Sequence, residues 1–256
     1  MEEVKELLEE KYNKYNNRSF IDSDPICIPH MFSDKENIEI SSFLTATLAW
    51  GNRKSIINNS RKLMTLLDND PIDFVMNARE KDYKVLNSFY HRTFCGIDAL
   101  YFLRSLSNIY RIHGGLEQLF SNEFRRKGNV KDCLIRFVEV FFELEHPLRT
   151  EKHMADVRKG ASAKRLNMFL RWMIRKDNKG VDFGLWSEIP SSGLFIPLDI
   201  HTGNIARKLG LLKRRQNNWK AVEELTSVLR RFDADDPVKY DFALFGMGVF
   251  ENKAWS

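Results

Sequence analysis

The chain has 256 residues and a mass of 30.1 kDa, with 43% hydrophobic and 29% charged side chains and a net charge of +5. That length supports one large domain or two small ones around a proper core, and the composition excludes a disordered, collagen-like or disulfide-scaffold protein. No run approaches the ~20 apolar residues of a membrane span, the charged start MEEVKELLEEKYNKY lacks the apolar stretch of a secretory signal, and Cys27, Cys95 and Cys133 are too scattered for a cysteine zinc site or iron–sulfur cluster. The expectation is a cytoplasmic monomer with reduced thiols, no membrane contact, and neither metal nor cofactor.

The hydrophobic pattern predicts helices nearly throughout. The first runs from about Glu2 to Tyr15, followed by a loop broken at Asp24-Pro25 and Ile28-Pro29. The next spans about Glu36–Trp50, with Ile40, Phe43, Leu44, Thr47 and Leu48 as its buried stripe. Gly51-Asn52 interrupts it before a helix over about Ser55–Leu67, and Asp70-Pro71 opens a short one. Cys95-Gly96 precedes a long helix that ends at Gly114-Gly115. LEQLFSNEF and VKDCLIRFVEVFFEL follow, stopped at His146-Pro147. Beyond them come helices over about Ser162–Lys176, Thr202–Leu209, Trp219–Arg231 and Val238–Val249, with a Gly, Ser and Pro-rich loop from about Asp177 to Leu198. No strand and no internal repeat is predicted. The pattern reads as an all-α protein of about ten helices, single over 1–256, with two subdomains around a cleft: a mainly N-terminal helical part over 1–150 and a second part over 151–256.

The positive charge is concentrated. Between Glu151 and Lys176 eight Lys/Arg face two acids, and between Ile200 and Asn218 there are five Lys/Arg and no acid. Such blocks suit a polyanion-binding face, and they also suit two solvated helix faces. On a helical wheel of SAKRLNMFLRWMIRK, Ala163, Leu166, Phe169, Leu170, Met173 and Ile174 share one side, and Lys164, Met168, Arg171 and Arg175 the other. Gly160-Ala161 precedes this helix with Ser162 as the expected N-cap, a place where backbone N–H groups can receive a phosphate. In IPLDIHTGNIARKLG, Asp199 stands just before a short helix. It can cap that helix, pair with His201 on a metal for which no third ligand lies nearby, or act as a carboxylate facing a cationic cleft.

PLDIHTGNIARKLG resembles the segment P-V-D-x-H-x-x-R-x-x-x-R-L-G of the helix-hairpin-helix DNA glycosylases. That resemblance covers about Arg158 to Gly248 and implies a glycosylase-like fold, with 151–256 as the catalytic part. It implies Asp199 as the catalytic carboxylate and Lys164, at the start of the preceding helix, as the nucleophile of a bifunctional enzyme. The 35-residue spacing between them is similar to that of the archaeal 8-oxoguanine glycosylases, which also carry an inserted loop. The usual hairpin L-P-G-V-G is replaced by VRKGAS, and no cysteine quartet follows the aspartate. The N-terminal SSFLTATLAWGNRKSIINNSRKLM is similar to the glycosylase helix pair whose turn enters the DNA, which places Asn52 and Arg53 there. The whole chain also resembles an uncharacterised bacterial family marked by KRLNMFLRWM, PLDxHTG and YDFALFG.

The resemblance implies excision of a damaged base, such as an oxidised purine, from duplex DNA, with or without β-lyase activity. The expected DNA-binding set is Lys159, Gly160, Ser162, Arg165, Arg171, Arg175, His201, Arg207, Asn52 and Arg53, and the expected base pocket is Met168, Trp172 and Trp50. His91 and Arg92, between aromatics, form a further polar cluster that packing explains equally well. A non-catalytic DNA or RNA binder with the same fold, and an all-α scaffold with no nucleic-acid role, are the competing expectations.

Overall fold

The computed structural model describes residues 1–251. Among these residues it is built from twelve α-helices, short 3₁₀ turns and one two-stranded hairpin. The first eight helices are α1 (Glu2–Tyr15), α2 (Ser19–Ser23), α3 (Lys35–Leu48), α4 (Arg53–Leu66), α5 (Pro71–Asn77), α6 (Gly96–Ile112), α7 (Leu116–Lys127) and α8 (Val130–Phe141). After them come α9 (Lys164–Ile174), α10 (Ile200–Lys208), α11 (Trp219–Phe232) and α12 (Tyr240–Phe250). No helix among the described residues is long and apolar enough to cross a membrane.

The chain divides into two compact units, Ser23–Ala155 and a second made of Met1–Asp22 with Asp156–Ser256. The first 22 residues therefore belong to the unit that carries Lys164 and Asp199, instead of to the helical part expected over 1–150.

In the Ser23–Ala155 unit, α3 forms the centre. Its residues from Asn37 to Leu48 are all buried, so the single apolar stripe expected there is corrected to a helix enclosed on every side. Phe43 lies edge-on to Phe137 at 5.4 Å and stacks near Phe102 at 5.9 Å, at the heart of an aromatic core. The helix ends follow local chemistry. The Asp70 carboxylate accepts from the Asp73 N–H, with Pro71 in the first turn. Asn129 caps α8 in the same way. The strands Tyr90–His91 and Phe94–Cys95 pair antiparallel, a hairpin where none was expected. Its turn turns on Arg92, whose φ of 55° is left-handed. Behind it the buried Asp98 accepts from the Cys95 N–H and the Thr150 hydroxyl and lies 3.1 Å from the Arg149 guanidinium, tying the hairpin to α6.

In the second unit α1 lies along α12. A methyl group added at Gly246 would sit 2.2 Å from the Tyr15 ring, so only glycine allows this approach. The contact is locked at its end by Glu251, which accepts from Tyr15 Oη at 2.7 Å, Lys14 Nζ at 2.6 Å and Lys11 Nζ at 3.2 Å. Burial pushes the Glu251 carboxyl up, but the hydrogen bonds from Lys14, Tyr15 and Lys11 outweigh it and hold the pKa at about 2. A depressed folded pKa gives stability that is present above the unfolded value and lost as the pH falls towards the folded one. Urea-unfolding midpoints measured from pH 5 to pH 2.5 are expected to fall, and Glu251→Gln to flatten that fall by about 1 kcal/mol after allowance for solvent screening.

Candidate functional site

The site is built where α9 begins. A 3₁₀ turn, Val157–Lys159, is capped by Asp156, whose carboxylate accepts from the Arg158 N–H at 2.8 Å and pairs with the Arg158 guanidinium at 2.9 Å. Gly160 follows with φ 81°, a left-handed conformation that glycine adopts without penalty, and it is exposed. The Gly160 carbonyl accepts from the Trp219 N–H at 3.0 Å, and Ala161 bridges Asn218. The start of α11 thus holds this turn in place. Ala163, also left-handed at φ 50°, is the N-cap residue of α9, and no side chain caps the helix. Ser162 is therefore not the cap. It lies one residue too early, and its carbonyl accepts from the Asn167 amide at 3.2 Å. Lys164 is the first residue of the helix, half-buried, with Lys159 exposed before it and Arg165 half-buried after it. Burial pushes the Arg165 guanidinium down to about 10, which leaves it cationic at neutral pH.

The rest of α9 corrects the helical-wheel expectation. Arg171 and Arg175 are 4% and 0% exposed, so neither forms part of a solvent-facing cationic stripe. The Arg171 guanidinium donates to Asp241 and, at 3.3 Å, to Asp182. Arg175 donates to Asp182 at 3.0 Å, to Asp236 at 2.9 Å and to the Tyr12 hydroxyl at 2.9 Å, and lies 2.7 Å from Asp177. Charges taken out of water require such partners. Burial disfavours the Arg175 cation, but Asp182, Asp236, Tyr12 and Asp177 together raise its pKa above the ordinary arginine value. Trp172 is 0% exposed and Met168 is buried. Trp172 is thus a core residue with no surface to offer a base, and its indole N–H has no acceptor among the described residues.

The remaining expected residues are placed as follows. Trp50 is half-buried, with the Arg92 guanidinium 4.6 Å above its ring and the His91 ring edge-on at 5.9 Å. His91 Nε2 donates to the Trp50 carbonyl at 3.2 Å and Nδ1 accepts from the Asn59 amide at 2.9 Å, a pairing that requires the neutral Nε2–H tautomer. Asn52 is exposed and caps α4 through the Ser55 N–H, beside a half-buried Arg53. His201 is exposed at the start of α10, near the Phe245 ring. Arg207 does not point to solvent as a free cation. Its Nε donates to the Arg214 carbonyl at 2.7 Å and its Nη2 to Asn217 Oδ1 at 2.6 Å.

Asp199 is the N-cap of α10. Its Oδ1 accepts from the Thr202 N–H at 2.9 Å, and its carbonyl accepts from the Asn217 amide at 2.9 Å. Thr202 then links it inward, because the Thr202 hydroxyl reaches Asp241 Oδ1 at 3.4 Å. Asp241 is therefore the hub of the site. Burial raises its pKa to about 6; Arg171 lowers it, Asp199 raises it, Lys164 lowers it and Asp182 raises it. The helices that begin at Lys164 and Asp199, 35 residues apart in the chain, are thus tied to the same buried carboxylate through Arg171 and Thr202. An amine at one helix start and a carboxylate at another, on helices joined to one buried carboxylate, can hold charge against a bound substrate.

Asp241, Asp182, Asp236 and Asn217 are neighbours of the candidate site that the sequence patterning missed. The available signal was Asp241 itself, a lone acid in the apolar run YDFALFG, because a carboxylate is seldom buried without a partner. No group of three His, Cys, Asp or Glu side chains among the described residues could hold a metal ion.

No curated protein and no solved structure matches the chain. A family model described as a protein of unknown function, DUF2400, matches residues 24–250. That match spans most of the chain, from the loop before α3 to the end of α12, and includes both Lys164 and Asp199; this protein belongs to the DUF2400 family.

Proposed function

We propose that this protein is a DNA repair glycosylase that removes a damaged base, such as an oxidised purine, with Lys164 as nucleophile and Asp199 as the charge-stabilising carboxylate. One observation carries the reading: Lys164 opens α9 and Asp199 caps α10, and both helices bond to one buried carboxylate, Asp241, through Arg171 and Thr202. Lys164 first gives up a proton to water, the resulting amine attacks C1′ of the extruded nucleoside, and the C–N bond breaks with its electron pair on the base, which takes up a proton from water as it leaves. The Asp199 carboxylate stabilises the positive charge that develops on the sugar. The new secondary ammonium loses its proton, O4′ gains one as the ring opens to a Schiff base, and removal of a C2′ proton by water then forms the C2′=C3′ bond and expels the 3′ phosphate, which nicks the strand. The resemblance of PLDIHTGNIARKLG to the glycosylase segment supports the same roles. Arg171 and Arg175 have no part in DNA contact in this reading, because aspartates hold them in the interior.

The experiment is single-turnover release of base from duplexes that carry oxidised purines, with wild type and Lys164→Ala. Wild type is expected to free the base from at least one lesion, and Lys164→Ala to lower the rate by at least ~10²-fold. DNA binding without release from any lesion would instead favour a non-catalytic binder, the reading that the missing L-P-G-V-G hairpin supports.

A further inference from the structure

The loop between α10 and α11 carries Lys213, Arg214 and Arg215 on exposed backbone, in a stretch from Ile200 to Asn218 that holds no acid. It is not a loose tail. Asn217 bonds to both sides of it: its amide N–H donates to the Asp199 carbonyl at 2.9 Å, and its Oδ1 accepts from Arg207 at 2.6 Å. The Arg207 Nε then donates to the Arg214 carbonyl at 2.7 Å. Gly203 leaves room for this arrangement, since a methyl group there would lie 2.8 Å from Asn217 Oδ1 and from the Arg207 guanidinium. At the far end, Asn218 bridges Ala161 and the Trp219 N–H bonds to the Gly160 carbonyl. From below, Glu224 accepts from the Lys213 N–H at 2.7 Å and lies 3.4 Å from Arg214. The loop is therefore fixed at once to the Asp199 N-cap and to the turn that leads into Lys164.

We propose that this loop is a backbone clamp for duplex DNA, in which Lys213 and Arg215 contact phosphates and the anchors at Asn217 and Asn218 hold those phosphates at a set position relative to Lys164 and Asp199. Arg214 is left out of the contact pair because Glu224 neutralises it. The clamp takes over the role expected of Arg171 and Arg175, whose guanidinium groups are held by aspartates inside the protein, and of Arg207, which is half-buried and bonded to the loop itself. It rests on the nucleic-acid part of the proposed function but not on its chemistry.

Salt dependence isolates the claim, because each phosphate contact adds about −0.9 to the slope of log K against log salt. Binding of a fluorescein-labelled undamaged DNA duplex is followed by anisotropy over a range of potassium chloride concentrations. The proteins compared are wild type, Lys213→Gln/Arg215→Gln, and Lys81→Gln/Lys84→Gln as a control with the same loss of charge in the other unit. The loop variant is expected to weaken binding and make the slope shallower by about two, while the control keeps the wild-type slope. The proposal is overturned if the loop variant keeps the wild-type slope, if wild type binds no DNA at low salt, or if an RNA duplex of the same sequence binds more tightly. A shallower slope in the loop variant, together with no base release by wild type, would support the clamp and sink the glycosylase chemistry alone.

Discussion

Arg175→Ala is expected to cost about 3–5 kcal/mol of folding stability, because it leaves buried carboxylates without their cation. Arg175 is 0% exposed and touches Asp182, Asp236, Asp177 and the Tyr12 hydroxyl, so nothing but protein replaces its lost hydration. The loss should also change its pH dependence. Burial already raises the Asp236 pKa, and Arg175 is the main influence that opposes it. Removing the guanidinium lifts that pKa further. A raised carboxylate pKa contributes stability at low pH that is lost as the pH rises through it. The variant should therefore lie closer to wild type at pH 4 than at pH 7. Urea unfolding at the two pH values measures both effects. Arg231→Ala, on the exposed side of α11, serves as the control and should fall within about 0.5 kcal/mol of wild type.

The second large effect is on chemistry. Asp199→Asn is expected to leave folding nearly unchanged and to lower base release by at least ~10²-fold. Asparagine caps a helix about as well as aspartate, so the bond from the Thr202 N–H to the position 199 side chain survives. What disappears is the charge. Asp199→Ala removes both and should lose about 1 kcal/mol of stability as well. Thermal melts and single-turnover rates on the same three proteins separate the cap from the carboxylate. Equal rates in wild type and Asp199→Asn would leave the carboxylate as a cap and nothing more.

How much of the fold is legible in the sequence depends on how local its causes are. Asp70-Pro71, Cys95-Gly96 and Gly114-Gly115 mark helix ends through the chemistry of a few adjacent residues, and α5 and α6 begin or end there. The hairpin over Tyr90–Cys95 was not legible, because two-residue strands are too short to show alternation. The error at α9 has a different cause. A wheel assigns charges to solvent, and for Arg171 and Arg175 that rule fails because their acids lie far along the chain, at Asp236 and Asp241, or in the loop at Asp177 and Asp182. The anchoring of Arg207 was not legible either: its acceptors, the Arg214 carbonyl and Asn217, belong to a loop whose course the pattern does not specify. The cap role of Asp199 was legible from spacing alone, because an aspartate just before a helix has a local partner. Asp241 was not singled out, since its significance depends on Thr202, Arg171, Asp199 and Lys164 arriving from two other helices.

The most direct measurement is borohydride trapping on a duplex with an abasic site, followed by peptide mapping of the adduct. A Schiff base between C1′ and the Lys164 amine is reduced to a stable secondary amine, so the account predicts a covalent protein–DNA species whose modified peptide contains Lys164 and which Lys164→Ala abolishes. An adduct mapped to another lysine, or none on any abasic or lesion-bearing duplex, would contradict it.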